Sequence, residues 1–235
     1  MGTTSISGSC PNLYATDRGT YLVQGYKIDD PEALATLHDR GMPETETAVE
    51  IPAGLLSFAP GHVMTRLVRG EDFGRLFKTF TRSAWRWECQ AEYREPHEAE
   101  AFRQFLAGET PDMSFTTEWL ANVRQATGAG RHFERVRVLT EPLTDYLRFE
   151  MFAAPGNAAA GEVIRVMSTT AAVEHNLPDH DFWLFDDELV AIMHFDSHGM
   201  IAAELVDDAD TVAKHRRWRE IAWGHAAPCE TVLTP

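Results

Sequence analysis

The sequence predicts an α/β or α+β protein, a mixed sheet flanked by helices with a small β-α-β module in front of it. Helical periodicity and strand alternation interleave along the whole 235-residue chain. The strand-like runs are short and bounded by Gly, Pro or Asp, as sheet strands are. Apolar residues make up 44% and charged residues 24%, enough for a core and too balanced for bulk disorder. The interleaving fits neither a bundle nor a β-sandwich.

Residues 1–12 are rich in Ser, Thr and Gly and are expected to fray. Thr20–Ile28 (TYLVQGYKI) is rich in β-formers and reads as a strand. Asp30-Pro31-Glu32 supplies an N-cap, a proline in the first turn and an acid at the positive helix end. That helix should reach about His38, with Gly41 and Pro43 ending it, and Thr47–Ile51 returns as a strand. The segment 57–62 (SFAPGH) is the expected linker, which divides the chain into a module at 1–60 and an α/β domain at 61–235. A 60-residue β-α-β unit buries little surface alone, so it should pack on a neighbour or form a homodimer.

In the larger domain, Gly70–Lys78 is helical, with Phe73, Leu76, Phe77 and Phe80 forming an apolar stripe. Thr81–Tyr93 sets Trp85, Trp87 and Cys89 against Arg86, Glu88 and Gln90, a strand with one apolar and one polar face. A helix from Glu95-Pro96 to about Ala107 and another over Trp119–Thr127 follow, each stopped by glycine. Strands are expected at Phe133–Leu139, Val163–Met167, Asp181–Phe185, Leu189–Phe195 and Met200–Val206, and a helix at Thr144–Phe152. Asp196-Ser197-His198-Gly199 is a hairpin turn. Asp208 or Asp210 caps a final helix to Ala222.

Charge narrows the function. The net formal charge is −15, which argues against a largely electrostatic nucleic-acid partner. Only residues 61–137 approach neutrality, with 12 basic and 11 acidic residues. Cys10, Cys89 and Cys229 show neither disulfide-framework nor zinc spacing. The N-terminus carries no secretory signature, Ile6 breaks the myristoylation pattern, and no apolar run spans a bilayer. These features lead to the expectation of a cytoplasmic protein without membrane contact. No phosphate loop, dinucleotide fingerprint, nucleophile elbow or HExxH motif occurs, and no cofactor is implied.

Five segments resemble, in order, an actinobacterial domain family of uncharacterised function. They are Arg131–Glu150 (RHFERVRVLTEPLTDYLRFE), Leu177–Asp187 (LPDHDFWLFDD), Leu189–Asp196 (LVAIMHFD), Ala203–Asp208 (AELVDD) and His215–Trp223 (HRRWREIAW), and the resemblance covers about residues 70–228. Thr16–Gly25, Asp30–Leu34 and Ala48–Leu55 are similar to a separate small actinobacterial protein type. Such genes resemble neighbours of helix-turn-helix regulators, so the resemblance implies a regulatory setting and no reaction. A weaker likeness is to phospholipase-D-like domains, in which a strand carries His-x-Lys and then Asp. In that frame this chain has Asp179, Asp181 and Asp186. The nucleophilic histidine and the phosphate-binding lysine are both missing, so the likeness implies a degenerate site, and aspartates there would repel a phosphate.

Four constellations could carry chemistry. Asp179, His180, Asp181, Asp186, Asp187, His194, Asp196 and His198 form the densest polar cluster. Within it Asp186, Asp196 and His198 are candidate metal ligands, while turn chemistry explains the same residues without a metal. Arg148 and Glu150, beside Asp145 and Tyr146, could hold an anion or form a structural ion pair. Arg82, Arg86 and Arg94 near Trp85 and Trp87 could bind nucleic acid or an aromatic ligand, or simply overlie buried tryptophans. Lys214, His215, Arg216, Arg217 and Arg219 form a basic helix that could meet an acidic partner surface or nucleic acid, or balance nearby acids. The leading expectation is a non-catalytic accessory or regulatory protein that binds a protein partner or a small ligand. The alternative is a hydrolase or transferase whose dispersed site joins Asp181, His194 and Arg148.

Overall fold

The computed structural model describes residues 2–3, 12–16, 21–43, 45–52 and 66–233. The chain divides into two compact units, Met1–Met64 and Thr65–Pro235. The linker expected at 57–62 lies outside the described residues, as does most of the segment expected to fray.

In the first unit, β1 (Gly2–Thr3), β2 (Asn12–Ala15) and β3 (Tyr21–Gln24) form an antiparallel sheet. A second ladder pairs β4 (Tyr26–Lys27) with β5 (Val49–Glu50). Between them lies α1 (Pro31–Asp39), capped by the Asp30 side chain on the Glu32 N–H at 2.9 Å. The single strand expected at Thr20–Ile28 is thus two. It breaks at Gly25, where a Cβ would lie 2.6 Å from the Glu50 carbonyl oxygen. Only glycine permits that backbone approach.

The second unit is built on an eight-stranded sheet. Its strands are β6 (Arg66–Val68), β7 (Ser83–Glu88), β8 (His132–Leu139), β9 (Val163–Ser168), β10 (Phe182–Phe185), β11 (Leu189–Asp196), β12 (Gly199–Val206) and β13 (Ala227–Pro228). The spatial order is β13-β9-β8-β7-β10-β11-β12-β6. The centre β7-β8-β9 is parallel and all other pairings are antiparallel. Parallel neighbours need long crossovers. Helices α3 (Ala99–Leu106) and α4 (Thr117–Gly128) connect β7 to β8, and α5 (Asp145–Ala159) connects β8 to β9. Helix α2 (Gly70–Thr79) precedes β7, α6 (Thr169–Glu174) follows β9, and α7 (Ala209–His225) and the short α8 (Glu230–Leu233) close the chain.

Alternation assigns the two faces. On one, Trp85 and Trp87 stack with centroids 6.5 Å apart, and Phe182 packs on His215 and Trp218 of α7. On the other, Phe77 of α2 meets Trp119, Phe133, Trp183 and Phe185, forming an aromatic core under α2 and α4. Burying rings of this size removes 150–250 Å² each from water, about 4–6 kcal/mol per ring at the usual area coefficient.

Helix α5 outruns its expected end at Phe152 and continues through Pro155. Proline forfeits one backbone bond, but Met151 and Ala154 are packed on Ile164 and Val166, and that burial holds the helix together. The strands β1, β2, β6 and β13 and the helices α6 and α8 were not anticipated. Each is six residues or fewer, too short to show a period. The hairpin between β11 and β12 does turn at Gly199, with φ 111°.

A charged cavity on the helix-covered face of the sheet

Strands β7 and β8 build the candidate site by alternation and register. Arg86 and Glu88 point to the same face as Arg135 and Arg137, with Arg86 opposite Arg135 and Glu88 opposite Arg137. Two arginines in direct register repel, and Glu88 resolves this by reaching both. Its carboxylate lies 2.5 Å from Arg86 Nε and 3.0 Å from Arg135 Nη1, with Arg137 Nη1 at 3.6 Å. Arg135 Nε also donates to Glu162 at 2.8 Å, and Arg86 Nη2 lies 3.6 Å from Asp181. Burial works against charge on Glu88, but Arg135, Arg86 and Arg137 outweigh it and hold its pKa at about 2. Arg137, only 1% exposed, lies with its guanidinium carbon 4.7 Å from the Tyr93 ring centroid and 5.8 Å from that of Tyr146.

Above this floor is a cavity of about 320 Å³. Trp183 and Phe195 come from the sheet, Trp119 from α4, Phe115 from the turn before it, and Phe149 from α5. The loop from β7 to α3 supplies Tyr93, Glu95, His97 and Glu98. Tyr146 and Glu150 are i,i+4 neighbours on α5 and enter together. Tyr146 Oη lies 2.6 Å from Glu98 Oε1 and 3.4 Å from Glu150 Oε1. Burial pushes Glu98 up to about 7 against the lowering effect of the Tyr146 hydrogen bond. Burial also raises Glu150, with Arg137 opposing. A larger cleft of about 640 Å³ borders Glu71, Arg75 and Lys78 on α2. Its charges are surface groups, so it lacks the enclosed ionic floor that distinguishes the smaller cavity.

The residues singled out from sequence do not converge. Asp181 is 1% exposed and faces the cavity side, where it accepts from the Cys89 N–H at 3.0 Å, the Cys89 thiol and the Tyr93 hydroxyl. Burial, reinforced by Asp181, raises the Cys89 thiol and makes it a poor nucleophile. His194 points to the opposite face, since Met193 and Phe195 take the cavity side, and its Nε2 lies 3.1 Å from Glu204 Oε2. Arg148 pairs with Asp145 on the outer surface of α5. Asp181, His194 and Arg148 therefore share no pocket: strand and helix periodicity send the three side chains in different directions.

Of the candidate metal ligands, Asp186 lies before the start of β11, whereas Asp196 and His198 are neighbours at its far end. Asp186, at φ 55°, accepts from the N–H groups of Thr81, Arg82 and Ser83. Burial opposes its charge, but the N–H groups of Ser83, Thr81 and Arg82 hold its pKa below the usual range. Asp196 caps its own turn through the His198 N–H at 2.7 Å, and the His198 side chain projects into solvent. Among the described residues no group of three or more His, Cys, Asp or Glu side chains is placed to hold a metal. In the phospholipase-D-like frame, Asp179 is exposed, Asp181 buried and Asp186 a turn cap, so they form no common site. The basic helix is dispersed too: His215 is buried, Lys214 lies over Trp218 and Arg219 pairs with Asp187.

Of the polar cavity residues, Arg86, Glu88, Tyr146 and Glu150 stand out in the sequence, but no motif in it joins them. A signal was present: two adjacent charged strand faces, ArgxGlu in β7 and ArgxArg in β8. Central parallel strands are covered on both sides, so such charges must pair inside.

No helix among the described residues is long and apolar enough to cross a membrane. Residues 71–233, which take in every residue of the cavity wall, match a family model described as a domain of unknown function (DUF6879). No curated protein matches the chain.

Proposed function

Since the chain belongs to the DUF6879 family, whose function is unknown, we propose from its cavity that it is a small-ligand-binding protein with an accessory or regulatory role. The observation that carries this is the enclosure of an ion network and two carboxyls of raised pKa beneath aromatic walls. Apolar pockets with a few convergent polar groups and perturbed pKa values are the usual form of ligand sites. The regulatory setting follows the actinobacterial resemblance of the sequence and belongs to the same proposal.

The test is a thermal-shift screen of the full chain against metabolite-sized compounds. A compound at about 100 times its Kd adds about 2.7 kcal/mol of stability. Ala153 lines the cavity, and Ala153→Trp fills it. Shifts lost in a folded Ala153→Trp variant support the reading, and shifts that persist there contradict it.

A protein partner is proposed for the small unit, favoured by the exposed Leu22, Val23, Tyr26 and Val49. Self-association by this surface would appear as a concentration-dependent mass in sedimentation that Leu22→Ser with Tyr26→Ser abolishes.

A further inference from the structure

We propose that the cavity takes an organic cation, with Glu98 and Glu150 as its counter-ions and the aromatic side chains as its walls. This rests on the reading of the cavity as a ligand site. The floor contributes three positive groups, Arg86, Arg135 and Arg137, and three negative ones, Glu88, Glu162 and Asp181, all joined by ion pairs of 4 Å or less. An anion entering from above would therefore find Arg86 and Arg135 already ion-paired, while Arg137, whose guanidinium nitrogens make no hydrogen bond among the described residues, is sealed from the cavity behind two tyrosines.

Glu98 and Glu150 remain. Among the described residues neither has a cationic side chain at ion-pair distance, and what they share is the Tyr146 hydroxyl, at 2.6 and 3.4 Å. A hydroxyl has one hydrogen to give. The hydroxyl donates to Glu98 at 2.6 Å, so the Glu150 contact at 3.4 Å is at best a weak share of that hydrogen unless Glu150 is protonated and donates to the tyrosine oxygen. A proton held by this pair would occupy the place of a cation.

The surroundings support this from every side. Facing Glu150 are Arg137 and Arg135 of β8, Arg86 and Glu88 of β7, and Tyr146 of its own helix; facing Glu98 are Tyr146, Glu150, Glu95 and Glu88. His97 and Tyr93 complete the titratable lining. The arginines favour ionised carboxyls but are shared with Glu88, Glu162 and Asp181, and burial prevails. A cation beside the pair favours both carboxylates and displaces the proton to solvent. The rings of Phe115, Trp119 and Phe149 supply apolar walls suited to an alkylammonium group.

Isothermal titration calorimetry of the full chain, at pH about 7 in two buffers of different ionisation enthalpy, tests this. The probes are benzyltrimethylammonium, neutral benzyl alcohol and anionic phenylacetate. The cation should bind about tenfold tighter than benzyl alcohol, and phenylacetate weakest. Cation binding should release up to about one proton. Glu150→Gln and Glu98→Gln, each checked for cooperative thermal unfolding, should weaken the cation about tenfold and shrink the proton release, with far less effect on benzyl alcohol. Equal or tighter binding of benzyl alcohol or phenylacetate overturns the cation assignment and leaves the cavity reading standing. Cation binding without proton release overturns the role of the carboxyl pair. If none of the three binds, the cavity reading fails with it.

Discussion

Glu88 and Glu98 line one cavity and titrate in opposite directions, and the difference lies in their partners. Glu88 is surrounded by three guanidiniums and held at about 2 despite burial, whereas burial, with neighbouring carboxylates and no paired cation among the described residues, lifts Glu98 to about 7 against the Tyr146 hydrogen bond. Linkage gives each a distinct pH signature. The folded pKa of Glu98 lies above its ordinary 4.5, so its stabilising contribution is complete below about pH 4.5 and is lost as pH rises through about 7. The folded pKa of Glu88 lies below 4.5, so its contribution is present above about pH 4.5 and is lost as pH falls through about 2. Glu98→Gln keeps an acceptor for the Tyr146 hydroxyl and removes the titration. Urea unfolding should then show a weaker decline of stability between pH 4.5 and 7, by about 2–3 kcal/mol at about 1.4 kcal/mol per pKa unit; an unchanged slope would show that Glu98 ionises normally. Arg135→Met leaves Glu162 without its cation and takes from Glu88 one of its three, and should cost about 3–5 kcal/mol in the same assay at pH 7. A loss below about 1 kcal/mol would mean the floor is not a coupled network.

At the level of elements, the long periodic segments were legible and the short ones were not. The stripe of Phe73, Leu76 and Phe77 identified α2, and alternation identified β7, β8, β11 and β12, because burial of one face imposes a period on a long enough run. Turn chemistry was also legible. Gly199 adopts φ 111°, and a Cβ there would lie 2.8 Å from the Arg94 carbonyl oxygen. Gly199→Ala should therefore destabilise by about 1–3 kcal/mol in thermal or urea unfolding, through both backbone strain and that contact. A neutral result would show that the hairpin relaxes freely. Helix α7 depends on its cap in the expected way, with Asp208 accepting from the Thr211 N–H at 3.0 Å; Asp208→Ala should cost about 1 kcal/mol. What could not be read was the passage of α5 through Pro155, because contacts with Ile164 and Val166 across the chain decide it.

For the whole molecule, the mixed α/β architecture followed from the order of patterns, but the site did not. Alternation tells which face a side chain takes and says nothing about which strand lies beside it. Arg86 could be placed opposite the tryptophans, yet its neighbours Arg135 and Trp183 come from strands about 50 and 100 residues away that only the sheet register brings together. The dense cluster of Asp and His from 179 to 198 drew attention for the converse reason. Proximity in sequence suggested a site, while turns and opposite sheet faces disperse it. Because the cavity is built from residues of the second unit alone, a fragment spanning 65–235 should unfold cooperatively and retain whatever the full chain binds there. The central claim is that this cavity holds an uncommitted carboxyl pair around a shared proton. Carbon-13 NMR of the glutamate side-chain carboxyls through a pH titration, with and without benzyltrimethylammonium, tests it most directly. The account predicts one carboxyl that stays protonated until about pH 7, is absent in Glu98→Gln, ionises at lower pH in Glu150→Gln, and ionises at lower pH when the cation is present. Ordinary titration of every glutamate at or below about pH 4.5, unmoved by the cation, would contradict it.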